Sequence, residues 1–193
     1  PVNVNDFFAR DPFIFADPVS QKYYLALNDN MKIGLYESLD LVNWKRVRTV
    51  FTRPQDFWGT KRFWAPDLFN YNGKFYLFVS FATETLSMAG TSILVSDKVD
   101  GIYEPLVNAP ITPADWQCLD GTLYIDENNQ PWLLYSREWT SVIDGEIYAQ
   151  KLSGDLKTTF GNPILLFKAS SAPWVGNITV NGVTGKVTDS PIL

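Results

Sequence analysis

A strand–turn–strand unit recurs along this chain, and each copy opens on an aspartate. Asp11, Asp67, Asp120 and Asp189 follow one another at intervals of 56, 53 and 69 residues. In the first copy Phe13-Ile14-Phe15 runs into Asp17-Pro18, and an apolar run at 22–27 follows. In the second, Leu68-Phe69 runs into Asn72-Gly73 and then 74–79; Asn-Gly between apolar runs is a strong signal for a two-residue hairpin. In the third, residues 122–125 meet Asp126-Glu127-Asn128-Asn129 and then 131–135. Third strands are expected at 32–38, 92–96 and 146–152, and outer strands at 44–50, 103–107 and 164–167. Amphipathic helix is almost absent.

Four-stranded repeats of this length are what propeller blades look like in sequence. The chain is read as all-β and as one propeller domain over 1–193, with blades near 7–54, 62–110 and 116–168 and a fourth starting near 187. Three blades and the opening of a fourth leave a sheet edge and an apolar face to be covered, so further blades are expected to complete the ring. In such a ring the innermost strands all run the same way, which brings residues at their starts to one mouth. The four aspartates are therefore expected to cluster there, although Asp is also common in turns before strands.

Composition narrows the chemistry. The 193 residues include no histidine and one cysteine, Cys118. Ser-His-Asp and Cys-His nucleophilic systems, His-based zinc sites and an internal disulfide are all ruled out. Acid–base work falls to carboxylates, Lys, Tyr or Cys. A net charge of −5 argues against nucleic-acid or anionic-membrane partners, and no apolar run is long enough to span a bilayer. The first residues, Pro1-Val2-Asn3, do not read as a signal peptide, and the compartment stays open. Seven Trp, nine Tyr and thirteen Phe suit a β-rich core and also a site that stacks on sugar rings. Trp58, Trp116, Trp139 and Trp174 fall in expected loops. Clustered carboxylates raise one another's pKa, so one can stay protonated while another is ionised, as glycoside hydrolysis requires.

Four segments carry a family resemblance. Ala9-Arg10-Asp11-Pro12-Phe13-Ile14 resembles the segment of glycoside hydrolase family 43 that bears its general base. Ser38-Leu39-Asp40-Leu41-Val42-Asn43-Trp44 resembles the tag closing its first blade. Phe63-Trp64-Ala65-Pro66-Asp67-Leu68 resembles its W-A-P-D segment, and Leu119-Asp120-Gly121-Thr122-Leu123-Tyr124 the segment with its pKa-tuning aspartate. The resemblance implies a five-bladed propeller and an inverting enzyme that removes pentose from plant polysaccharide. By it Asp11 is the general base, Asp120 positions and tunes the acid, and Trp64 and Ala65 wall the sugar pocket; Arg10, Asp67 and Glu138 are further substrate-binding candidates, Asp67 serving either the sugar or nearby backbone N–H groups. The family's acid is a glutamate ahead of a small residue and Pro. Here Thr188-Asp189-Ser190-Pro191 occupies that place, with a side chain reaching roughly 1–1.5 Å less far. Asp189 is the candidate acid and Glu138 the reserve.

The resemblance further implies an arabinose- or xylose-containing glycan as partner and no required cofactor. Many members hold calcium in the channel, commonly through a histidine, and nothing in this chain argues for that ion. An exo-acting α-L-arabinofuranosidase is the first reading, with β-xylosidase or endo-arabinanase next. A non-catalytic carbohydrate-binding propeller is the alternative from another class, favoured by the shortened acid. A protein-binding propeller would not need an acidic mouth. Fructan-cleaving propellers share Arg-Asp-Pro but carry it in a later blade.

Overall fold

The computed structural model describes residues 1–6 and 8–191 and is almost wholly β. Three consecutive antiparallel sheets account for most of it. The first contains β1 (Val2–Asn3), β2 (Ile14–Asp17), β3 (Lys22–Asn28), β4 (Lys32–Ser38) and β5 (Asn43–Thr52), in the order β1-β5-β4-β3-β2. The second is β6 (Lys61–Tyr71), β7 (Lys74–Ala82), β8 (Ala89–Ser96) and β9 (Glu104–Pro105), in chain order. The third is β10 (Cys118–Ile125), β11 (Pro131–Arg137), β12 (Glu146–Leu152) and β13 (Thr159–Lys168), with the short helix α1 (Trp139–Val142) between β11 and β12. A small hairpin, β14 (Ile178–Val180) and β15 (Val183–Gly185), follows. Among the described residues no sheet closes on itself.

The expected meander is present in all three units. Strand β1 was not expected; it adds an extra edge to the first sheet by pairing Val2 with Trp44 and Asn3 with Asn43. The outer strand expected at 103–107 shrinks to two residues. No strand forms over Asp189-Ser190-Pro191, and the rest of that expected strand, Ile192 and Leu193, lies outside the described residues.

Local chemistry sets the turns. Asn72 and Gly73 take φ of 49° and 77° between the paired Tyr71 and Lys74, the two left-handed residues of a tight hairpin. Between β4 and β5, Asp40 accepts from the backbone N–H of Val42 at 2.9 Å and Asn43 at 2.7 Å, which holds its carboxyl well below the usual range. Trp44 closes that turn, almost wholly buried, with Nε1 donating to the Leu41 carbonyl at 3.2 Å. The same device recurs in the third sheet, where Asp155 accepts from Ser153 Oγ and from Lys157 N and Leu156 is buried.

The core lies between sheets. Between the first and second, Phe51, Phe57, Phe63 and Phe81 pack mostly edge to face, with centroids of Phe63 and Phe81 4.9 Å apart and of Phe57 and Phe81 5.0 Å apart. Between the second and third, Phe78, Ile93, Leu133 and Tyr135 form the matching cluster around buried Cys118. Phe81 has no exposed surface and touches three of these rings. Phe81→Ala is expected to lower unfolding free energy by about 3–5 kcal/mol in a denaturant titration; a loss below about 1 kcal/mol would mean that the ring cluster is not the seam between sheets. The far side of the third sheet is different: Ile164, Leu165, Leu166 and Phe167 on β13 are all exposed.

Candidate active site

The inner strands of the second and third sheets carry the same irregularity. In β10, Leu119 pairs with Ser136 and Thr122 with Leu134, so one extra residue sits between them. In β6, Trp64 pairs with Ser80 and Asp67 with Phe78, the same two-against-one count. This bulge fixes the alignment of the repeat. Asp120-Gly121-Thr122 matches Ala65-Pro66-Asp67, and Asp11-Pro12-Phe13 is their counterpart in the first sheet. Asp11, Ala65 and Asp120 have φ of 50°, 45° and 53°. The expectation that Asp67 is the second-sheet equivalent of Asp11 is therefore corrected by two residues: that place is held by Ala65. Asp67 carries the misleading signal because it too is an aspartate just ahead of an apolar strand.

The left-handed conformation explains the residue type as well as its aim. It costs an ordinary L-residue roughly 1–2 kcal/mol, less for Asp or Asn, whose short polar side chains bond locally. Gly121 follows because a Cβ there would lie 2.6 Å from Thr91 Oγ1, to which the Gly121 N–H donates at 2.8 Å. Each of these segments, and the one before Asp189, is tied to the preceding sheet by a polar residue near the end of a strand of that sheet. Asn28 Nδ2 donates to the Arg62 carbonyl at 3.0 Å. Ser80 Oγ accepts from Asp120 N at 2.7 Å and donates to Asp120 Oδ1 at 3.2 Å. Ser136 Oγ donates to the Thr188 carbonyl at 3.2 Å. Ser80 and Ser136 were not singled out from sequence; their shared place near the end of the second strand was the available signal.

These anchors bring three of the four aspartates together. Asp120 is 8% exposed, its carboxyl lies within hydrogen-bond reach of that of Asp189, and the charge of Asp11 also acts on it. Burial pushes the Asp120 carboxyl up to about 8, with Asp189 and then Asp11 adding to the rise and Ser80 opposing it. Asp189 and Asp11 are more open to solvent, and Asp11 sits 3.4 Å from Arg10 Nε. Asp67 stands apart, half-buried; burial pushes its carboxyl up to about 7, with Thr122, its counterpart in the third sheet, opposing the rise.

A cleft of about 240 Å³ opens beside Asp11, lined by Phe8, Asn28, Phe63, Trp64 and Ala65 among others. That is below the ~300–1,000 Å³ typical of drug-sized ligands, and suits a single small ring. Trp64 is 38% exposed and lies within cation–π distance of two guanidinium groups, Arg62 at 4.7 Å and Arg10 at 5.8 Å. Arg62 was not anticipated from sequence. Glu138 caps α1, accepting from Thr140 N at 3.5 Å, and its charge reaches Arg62. Of the loop tryptophans, Trp58 joins the phenylalanine core and donates to Ser92 Oγ at 2.8 Å, Trp139 is buried, and Trp116 lies under the Arg137 guanidinium at 4.0 Å. Trp174 is 85% exposed. Among the described residues no group of three or more His, Cys, Asp or Glu is disposed to hold a metal ion, and no helix is long and apolar enough to cross a membrane.

An all-β array of repeated sheets with buried and exposed carboxylates meeting beside an aromatic cleft is the kind of site that carbohydrate-processing enzymes use. Residues 3–193 match the family described as Glycosyl hydrolases family 43, and the chain belongs to it. It is 55% identical to an endo-arabinase from Bacteroides thetaiotaomicron VPI-5482, with a TM-score of 0.95 over 99% of this chain and 67% of that one. It is 25% identical over 60% of its length to the extracellular endo-alpha-(1->5)-L-arabinanase 1 of Bacillus subtilis (strain 168). It is 26% identical over 64% of its length to the extracellular exo-alpha-(1->5)-L-arabinofuranosidase ArbA of Cellvibrio japonicus (strain Ueda107). The chain spans 39% and 38% of those two relatives.

Proposed function

We propose that the protein hydrolyses α-1,5-linked arabinan with inversion, cutting within the chain, and that its three sheets are blades of a five-bladed propeller. The exposed apolar run on β13 supports further blades, since it is a surface of the kind that sheet-on-sheet packing covers. The observation that carries the catalytic reading is the meeting of Asp120 with Asp189 under the influence of Asp11.

In this reading Asp11, open to solvent, takes a proton from water as the water attacks the anomeric carbon. Asp189 gives a proton to the departing glycosidic oxygen. Asp120 holds a proton at neutral pH because it is buried, with negative neighbours adding to the effect, and it lies within reach to pass that proton to Asp189. Trp64 offers a face to the sugar ring and Ala65 leaves room where its counterparts carry carboxylates. Inversion asks for base and acid roughly 6.5–9.5 Å apart, with the water between.

Endo action is favoured over the exo reading made from sequence by the 55% identity to an endo-arabinase. Exo-arabinofuranosidase is the second reading, supported by the small cleft beside Asp11 and by the Cellvibrio relative. Incubation with linear arabinan, an aryl α-L-arabinofuranoside and an aryl β-D-xyloside separates them. Internal cutting gives a ladder of arabino-oligosaccharides early in the reaction and little release from either aryl glycoside. Release of arabinose alone would overturn endo action, and cleavage of only the xyloside would overturn the arabinan reading.

A further inference from the structure

Arg62 is built into the mouth at some cost, and its guanidinium has no hydrogen-bond or ion-pair partner among the described residues. Its φ is 76° and that of the next residue, Phe63, is 64°, two left-handed non-glycine residues in succession. The Asn28 amide holds the Arg62 carbonyl, and the Phe63 ring is locked in the core with no exposed surface. That backbone path buries Phe63 while Arg62 and Trp64 on either side of it come together, the guanidinium 4.7 Å from the indole. Backbone strain of this kind gathers at functional positions. Nη1 of Arg62 is buried and has no hydrogen-bond partner, and no ion pair within 4.0 Å is made by this guanidinium among the described residues.

Glu138 complements it from the third sheet. It directly follows β11, its backbone N–H donates to the Gln117 carbonyl at 2.8 Å, and Gln117 is bridged to Ala89 of the second sheet. Its carboxylate accepts one long bond, from Thr140 N at 3.5 Å. Glu138 is the anionic group that acts most strongly on Arg62, ahead of Asp120. A donor short of an acceptor, packed on an exposed indole, and an acceptor short of a donor thus lie on neighbouring sheets, near enough for the charge of one to act on the other.

We propose that Arg62 and Glu138 form a clamp for two adjacent sugar hydroxyls, holding with Trp64 an arabinosyl unit whose 2- and 3-hydroxyls are both free. This rests on the arabinan reading: in a 1→5-linked arabinofuranosyl chain those hydroxyls are the free pair. Arg62 donates to one hydroxyl oxygen and Glu138 accepts from the other hydroxyl. A side branch on the hydroxyl that donates to Glu138 removes that bond outright, and one on the other oxygen leaves Arg62 a crowded ether acceptor, so the clamp selects unbranched stretches.

The test is binding of linear arabinohexaose and of xylohexaose to the full-length protein, by calorimetry in an Asp11→Asn background that prevents turnover. Arg62→Met and Glu138→Gln are each expected to weaken arabinohexaose binding by about tenfold or more. Arg62→Lys should weaken it less, the double variant little more than either single one, and melting temperatures should stay within a few degrees of the parent. Unchanged affinity in both Arg62→Met and Glu138→Gln overturns the clamp while leaving the arabinan reading intact. Binding of xylohexaose alone overturns the arabinan reading, and the same variants then decide the clamp on that ligand. A parent that binds neither overturns both.

Discussion

Asp11→Asn is expected to lower kcat on linear arabinan by about 10³–10⁴ while leaving the melting temperature within a degree or two. The rate loss follows from the base role proposed for Asp11, a contribution worth roughly 10²–10⁴ in general base catalysis, with lost electrostatic stabilisation added. Asparagine is the informative substitution because of the backbone. Asp11 has a φ of 50°, a conformation that Asn accepts nearly as readily as Asp and Ala does not. Asp11→Ala should lose the same activity and also about 1 kcal/mol of stability. The pair therefore separates chemistry from strain. A rate drop below tenfold for Asp11→Asn would remove Asp11 from the role of base.

Asp120→Asn is expected to change how stability depends on pH. The carboxyl has an ordinary value of 3.8 and is pushed up to about 8 in the folded protein. Below about pH 4 both folded and unfolded chains hold the proton, and the group contributes nothing to the pH dependence. Between about 4 and 8 the unfolded chain has released it and the folded one has not, so folding takes up a proton and stability falls as pH rises. Above about 8 the full penalty is present. At ~1.4 kcal/mol per unit this amounts to several kcal/mol, an upper figure because the proton is shared with Asp189. Asn cannot ionise and still fits a φ of 53°. The variant should thus lose less stability than wild type between pH 5 and 9, so that its melting temperature gains on wild type by roughly 5–10 °C across that range. Asp67, pushed up to about 7, bends both curves alike and cancels in the comparison. Parallel curves would show that Asp120 is not held protonated. Activity of Asp120→Asn should fall at least about 100-fold on the same substrate, since the acid loses the partner that shares its proton.

Much of the fold was legible because strand and turn signals are local. Tyr71-Asn72-Gly73-Lys74 specifies a hairpin in four residues, and the Ser38–Trp44 turn is fixed by the Asp40 side chain binding the backbone two and three residues on. Asp11 and Asp120 were legible for the same reason, as turn-favouring residues ahead of apolar strands. Register inside a strand is not local. The placement of Asp67 depends on a bulge that is defined only by pairing with β7, and nothing in residues 64–68 says which residue is the extra one. Arg62 was hidden for a related reason: its aim comes from two left-handed residues and an amide from the first sheet, neither of which has a sequence signature. Pairing of β1 with β5 joins residues some forty apart and involves only two positions, too few for periodicity to reveal. Joining Asp120 to Asp189 required the Ser80 and Ser136 anchors, which sequence offered only as two serines among many.

The central claim is that these aspartates hydrolyse an arabinan linkage in one displacement by water. Proton NMR of the first-formed product from linear α-1,5-arabinan tests it most directly. The new reducing end is expected to appear first as the β-anomer, with no methyl arabinofuranoside formed when methanol is added. First appearance of the α-anomer, or capture of the sugar by methanol with retention, would contradict it by showing that a covalent glycosyl intermediate lies on the path.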